Sequence, residues 1–169
     1  MQCSDRIAGR LNDFSFLYFN YRVHILFIMT PREVSKKKLK EVLKPIIEKY
    51  PIEVIYLFGS KAEPRRKPND IDIGILLDEK KKKSKSDFGD EIEIEVFLQK
   101  ALKLYEKIDV KILNGRNPLF VHEVITPQEI LYKRDIATKV NFEVANYYKC
   151  QEELFFRRKL RFYQKENNE

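Results

Sequence analysis

The arrangement that most restricts this chain is an apolar run, Ile55-Tyr56-Leu57-Phe58, which ends in Gly59-Ser60 and is followed, after nine intervening residues, by Asp70-Ile71-Asp72. Side chains along a strand alternate between its faces, so a strand opening here projects Asp70 and Asp72 from one face and Ile71 and Ile73 from the other. Two carboxylates held side by side resist joint ionisation unless a cation or a shared proton compensates them. Mg²⁺ is the usual compensator: it takes oxygen ligands, keeps several waters, and is commonly held by one or two carboxylates together with substrate phosphates. The turn supplies the rest of such a site. Gly59 lets the backbone approach a ligand closely, and Ser60 adds a hydroxyl beside backbone N–H groups where a helix opens near Lys61. A nucleoside triphosphate fits that description; a solvated aspartate pair after a turn is the plainer alternative.

At these residues the sequence resembles the nucleotidyltransferase superfamily of DNA polymerase beta, in which a Gly-Ser pair precedes an Asp-x-Asp pair. The resemblance runs from about Val54 to Asp135 and is closer to the minimal members, the MntA-type antitoxins encoded beside HEPN-domain toxins. It implies a third carboxylate on the strand next to the Asp-x-Asp strand. Asp109, in Ile108-Asp109-Val110-Lys111-Ile112-Leu113, is the match, and in the family that residue helps bind metal and accepts the proton of the attacking hydroxyl. Read without the resemblance, Asp109 is a strand-start aspartate facing water. The resemblance thus assigns Asp70, Asp72 and Asp109 to catalysis and metal binding, with two Mg²⁺ ions, and Gly59, Ser60, Lys61 and Arg65 to the nucleotide. Arg65, with Arg66 and Lys67, could equally be solvated. ATP is the implied substrate, AMP the transferred group, and a tyrosine hydroxyl of a HEPN-type toxin the acceptor. Departures from the family pattern are Lys61 in place of arginine, Asn69 in place of serine, a longer segment at 78–91, and Thr126-Pro127-Gln128 where glycine is usual.

With 169 residues the chain suits one domain with appendages. Charged residues make up 35% and hydrophobic ones 43%, the balance of a globular, soluble protein. The net charge of +7 suits an acidic partner such as nucleotide or an acidic protein surface. Much of it sits in Lys80–Lys83 with Lys85 and in Lys36–Lys38, read as a loop and a solvated helix face and not as a nucleic-acid interface. Cys3 and Cys150 form no Cys-x-x-Cys motif and no disulfide framework, and with His24 and His122 alone a zinc site is not expected. A reducing cytoplasm is the expected location.

Residues 1–29 read as an N-terminal extension. Their apolar runs, Phe14–Phe19 and Val23–Met29, are interrupted by Asn20, Arg22 and His24, so neither reaches the length of a membrane span. Thr30, Pro31 and Glu33 after Met29 read as a capping box, which suggests translation from Met29. Beyond it, periodicity predicts a helix over 31–50 through Val34, Leu39, Val42, Leu43, Ile46 and Ile47, then strands at 52–58 and 71–77. A mobile polar insert is expected at 78–91, followed by a helix at 92–107 whose buried side is Ile92, Val96, Leu98, Leu102 and Tyr105. Glu91, Glu93 and Glu95 suit its first turn electrostatically and read as structural. The strand at 108–113, a short helix from Asn117-Pro118 and a short edge strand at Ile130–Tyr132 complete the core. A long helix over 136–166 carries Val140, Val144, Tyr147, Tyr148, Leu154, Phe155 and Phe162, residues that would cover the sheet or dock a partner, with partial docking expected.

The expected architecture is α/β (α+β): a small mixed sheet with helices mainly on one face, polymerase-beta-like, plus a C-terminal helix. Its divisions are 1–29, a nucleotidyltransferase domain at 30–135 and a helical extension at 136–169. The expected function is Mg²⁺-dependent transfer of AMP to a HEPN-type toxin, with two rivals. One keeps the chemistry and changes the acceptor to a small aminoglycoside-like molecule. The other is a binding module that neutralises its partner by masking it.

Overall fold

A computed structural model describes residues 30, 33–62, 69–82, 86–104, 107–127 and 129–166. The N-terminal extension, Arg65, Tyr105 and Gln128 lie outside the described residues. In chain order the described elements are α1 (Lys36–Lys49), β1 (Ile52–Phe58), α2 (Gly59–Ala62), β2 (Ile71–Leu77), α3 (Asp87–Leu102), β3 (Ile108–Ile112), α4 (Pro118–Ile125), β4 (Ile130–Lys133) and α5 (Ile136–Glu166).

The four strands form one mixed sheet in the order β3-β2-β1-β4. β1 lies antiparallel to β2 and β4, while β2 and β3 are parallel and joined through α3. Because both inner strands are covered on both faces, β1 and β2 are apolar almost throughout. On one face Ile55, Leu57, Ile71, Ile73 and Ile75 pack with Leu39 and Leu43 of α1 and Ile94 and Leu98 of α3. That larger layer carries α1 and α3. The other face carries a smaller layer, in which Val54, Tyr56, Leu76 and Leu113 meet Val121 and Val124 of α4, with Phe142 of α5 against it.

Two helices begin elsewhere than their sequence suggests. α1 starts at Lys36 because the Ser35 hydroxyl accepts from the Lys38 N–H at 3.1 Å. Thr30 and Glu33 exchange hydrogen bonds in a preceding turn instead. α3 starts at Asp87, capped by Ser86, whose hydroxyl accepts from the Gly89 N–H, and it ends at Leu102 where Lys103 turns left-handed. The expected insert at 78–91 therefore shrinks, its last residues being helix. The helix also packs in a different phase from the one expected: Ile94, Leu98 and Leu102 are buried, while Ile92 (46% exposed) and Val96 (40%) face solvent.

Glu91 shows why that phase wins. Its buried carboxylate accepts from the Ile112 N–H at 2.7 Å, on the outer edge of β3, and from Arg116 Nη2 at 2.5 Å. A strand edge that would otherwise stand open is satisfied by a helix side chain.

α5 is capped by Asp135, whose carboxylate accepts from the Thr138 N–H at 2.8 Å. It docks through Phe142, through Glu143, which accepts from the Tyr56 hydroxyl at 3.1 Å, and through Asn146, which donates to the Pro118 carbonyl at 3.2 Å. The docking is partial. Val140, Val144, Tyr147, Tyr148, Phe155 and Phe162 point away from the sheet into solvent.

Candidate active site

The register of the sheet brings the sequence-predicted carboxylates together. Asp72 of β2 lies opposite Phe58 of β1 on one side and Asp109 of β3 on the other. By alternation, Asp72 and Asp109 share a face with the smaller core layer. That layer reaches the site through Phe58 and Phe120, packed edge to face with centroids 6.1 Å apart, leaving the carboxylates at its open rim. Asp70 stands just before β2, half exposed, its Oδ1 3.7 Å from Lys107 Nζ.

Two glycines fix the shape of the site. Gly59 turns the chain from β1 into α2 at φ +63°, and a Cβ there would overlap the Asp72 carboxylate, 2.9 Å from its Cγ. The backbone turn therefore sits directly against the acid, as close approach to a phosphate ligand requires. Next to Asp72 on the same face, a Cβ at Gly74 would come 2.6 Å from Val124 Cγ1, so this glycine lets α4 seat against the sheet beside the site.

The electrostatics favour a cation. Burial, and then the like charges of Asp109 and Asp70, push the Asp72 carboxyl above its ordinary value, while the Lys111 ammonium opposes them. Lys111, two residues after Asp109 on the same strand face, contacts Asp109 Oδ1 at 2.5 Å. Asp72 and Asp109 present hard oxygen donors at a half-buried rim, a set that fits Mg²⁺ with phosphate oxygens completing its shell. Among the described residues no group of three or more His, Cys, Asp or Glu side chains is gathered to hold a metal on its own. The donors still required would have to come from substrate and water.

Ser60 and Lys61 follow Gly59 in α2, both partly exposed. Burial and the neighbouring Lys36 ammonium pull the Lys61 pKa below its ordinary value. Two cations of the site are not among the sequence-derived candidates: Lys107 beside Asp70, and Lys111 beside Asp109. For Lys111 the strand alternation carried the signal; for Lys107 the link is tertiary, since the Ile71 N–H donates to the Lys107 carbonyl and brings it to Asp70.

A family model described as polymerase beta nucleotidyltransferase matches residues 40–137, more than half of the chain, and spans every element of this site. The chain belongs to that nucleotidyltransferase family. No curated protein matches its sequence significantly. Solved structures similar to this nucleotidyltransferase include a toxin–antitoxin complex crystallised with AMP-PNP, with TM-score 0.61 and 23% identity over 75% of this chain and 95% of that one. Another is a complex of tri-AMPylated Shewanella oneidensis HEPN toxin with MNT antitoxin, with TM-score 0.56 and 22% identity over 74% and 91% of the two chains. A MntA–HepT toxin–antitoxin structure is similar at TM-score 0.55 and 22% identity, over 74% of this chain and 92% of that one. At these identities the likeness shows the nucleotidyltransferase fold. Among the described residues no helix is long and apolar enough to cross a membrane.

Proposed function

We propose that this nucleotidyltransferase is an antitoxin that transfers AMP from ATP to a tyrosine hydroxyl of a HEPN-type toxin. The observation that carries the reading is the pairing of Asp72 with Asp109 across β2 and β3, beneath a Gly59 turn with no side chain of its own. Its support from the comparisons is the family and the neighbouring toxin–antitoxin folds.

In the proposed reaction the acceptor oxygen attacks the α-phosphorus, forming a new P–O bond as the bond to the β-phosphate oxygen breaks and pyrophosphate leaves. Asp109 takes the hydroxyl proton, and Asp72, with Asp70 at the rim, supplies carboxylate oxygens that would hold the Mg²⁺ to which the triphosphate binds. Bound Mg²⁺, two ions in this reading, would neutralise charge on the attacking and leaving oxygens. The turn at Gly59-Ser60, with Lys61 and Arg65, is assigned to the triphosphate. Phe58 and Phe120 shield the rim from water on the side of the smaller core. Residues 30–135 are taken as the catalytic unit, with 1–29 and 136–169 as extensions.

Intact-mass spectrometry of a HEPN-type partner incubated with the chain, ATP and Mg²⁺ tests the reading. The expected result is a mass gain of one or more AMP units that requires both ATP and metal; an unmodified partner under conditions where the two proteins form a complex contradicts it. The second reading, neutralisation by masking, is favoured by one observation, the exposed aromatic and basic residues along α5. Neutralisation by an Asp72→Asn variant equal to that of the wild type would select it.

A further inference from the structure

Seven positions on α5, from Val140 to Phe162, recur at intervals of 4-3-4 and again 4-3-4 residues: Val140, Gln151 and Phe162 stand eleven apart, as do Val144 and Phe155, and Tyr147 and Arg158. At about 100° per residue all of them fall within an arc of about 80°, so they form one straight stripe about 33 Å long. Each is exposed, Tyr147 by 51%, Phe155 by 54% and Phe162 by 62%. The stripe is centred about 140° round the helix from Phe142, Asn146 and the buried Cys150, the side on which α5 docks. It is therefore open to a second body along its whole length. Phe156, Leu160 and Tyr163 are as exposed and lie off it.

The spacing is the same in both directions from Gln151. Two copies of α5 laid antiparallel about a two-fold axis at Gln151 bring the stripe onto itself, with Val140 against Phe162 of the second copy, Val144 against its Arg158 and Tyr147 against its Phe155. A small residue meets a large one at each end, two aromatics meet beside the centre, and the Arg158 stem covers a valine. The two Gln151 amides, each both donor and acceptor, can bond one another. Charge selects the direction. Arg157, Arg158, Lys159 and Arg161 are four cations with no acid between Leu154 and Gln164. Parallel copies would oppose these cations to themselves, whereas antiparallel copies set them beside residues 141–145, which hold Glu143 and no cation. We infer that the stripe is a self-association surface, occupied by a second copy of this chain in an antiparallel helix pair centred on Gln151. Covering the exposed parts of Tyr147, Phe155 and Phe162, at about 100 Å² each, with the flanking valines and stems buries on the order of 1,000 Å² over the two copies, the lower bound of a specific interface. The dimer is accordingly weak and concentration-dependent, and it adds nothing to the stability of the dilute single chain. The inference stands apart from the transferase reading.

The test is sedimentation equilibrium of the full chain alone, from about 1 μM to about 1 mM, a range that brackets weak association. The expected result is a monomer at the low end and a dimer at the high end. Phe155→Ser, on the stripe, is expected to weaken dimerisation about tenfold or more, and Phe156→Ser, its exposed neighbour off the stripe, to leave it unchanged. Should Phe155→Ser fail to fold by circular dichroism, Phe162→Ser is read in its place, with weaker dimerisation expected again. A short bis-maleimide reads the direction in a Cys3→Ser background: Val144→Cys combined with Arg158→Cys is expected to give cross-linked dimers, and each alone none. The inference is overturned if the wild type stays monomeric throughout, which would leave the stripe to a different protein. It is overturned equally if the folded stripe variant dimerises as the wild type does, if Phe156→Ser weakens the dimer as much as Phe155→Ser, or if Val144→Cys alone cross-links, the result of parallel pairing.

Discussion

Asp72, which the proposed reaction places at the metal site, also opposes folding. Its carboxyl is pushed up by burial and by two like charges, so the folded, metal-free protein holds that proton to a higher pH than the unfolded chain does. The resulting cost is absent below the ordinary value of 3.8 and grows as pH rises through the folded-state value. Asp72→Asn removes it. We expect the metal-free variant to unfold at a higher temperature than the wild type at neutral pH, with the difference vanishing in acid, while nucleotidyl transfer falls by at least about a hundredfold. Thermal melts across pH and single-turnover transfer report the two effects separately. Gly59→Ala acts through geometry: the left-handed turn alone costs about 1–2 kcal/mol, and the added Cβ displaces the Asp72 carboxylate. Lower stability together with lost transfer is expected, and a folded, fully active Gly59→Ala would show that the turn tolerates a side chain. At this scale the sequence was legible where chemistry depends on local spacing. Asp72, Gly59 and the Asp109–Lys111 alternation are all short-range, whereas the Lys107 contact with Asp70 depends on how β3 is entered.

Elements were legible where apolar periodicity had a single phase. β1 and β2 run over 52–58 and 71–77 as their alternation and flanking turns require, and α4 begins where Asn117-Pro118 predicts. α3 was not, because Phe88, Ile92, Val96 and Phe97 offer a second apolar stripe that competes with Ile94, Leu98 and Leu102. The choice is made by Glu91, whose partners, the Ile112 N–H and Arg116, lie about twenty residues further along the chain. Glu91→Ala is accordingly expected to destabilise the protein by about 1–3 kcal/mol, since it leaves a strand-edge N–H without its acceptor. Glu91→Gln, which keeps a carbonyl oxygen there, should lose less. Chemical denaturation measures both; equal stability of Glu91→Ala and wild type would mean that the α3–β3 contact is held by the apolar residues alone.

The whole molecule is a sheet with two unequal layers, its carboxylates at one end of the strands and a long helix standing partly clear of the rest. Stability resides in the layers. Phe155 (54% exposed) and Phe162 (62%) contribute little to it, so Phe155→Ser with Phe162→Ser is expected to leave unfolding free energy within about 0.5 kcal/mol of wild type. A larger loss would place the distal half of α5 in the folding core. Here the sequence foretold the helix and its partial docking, while the docked side follows from Phe142, Glu143 and Asn146, whose partners lie on β1 and α4. The central claim concerns the other end of the molecule, and one measurement reaches it most directly. It is transfer of label from α-³²P-ATP to a HEPN-type partner by wild type, Asp72→Asn and Asp109→Asn, each shown by circular dichroism to be folded. The account predicts a labelled partner with the wild type and none with either variant. Equal labelling by a variant and the wild type would contradict it.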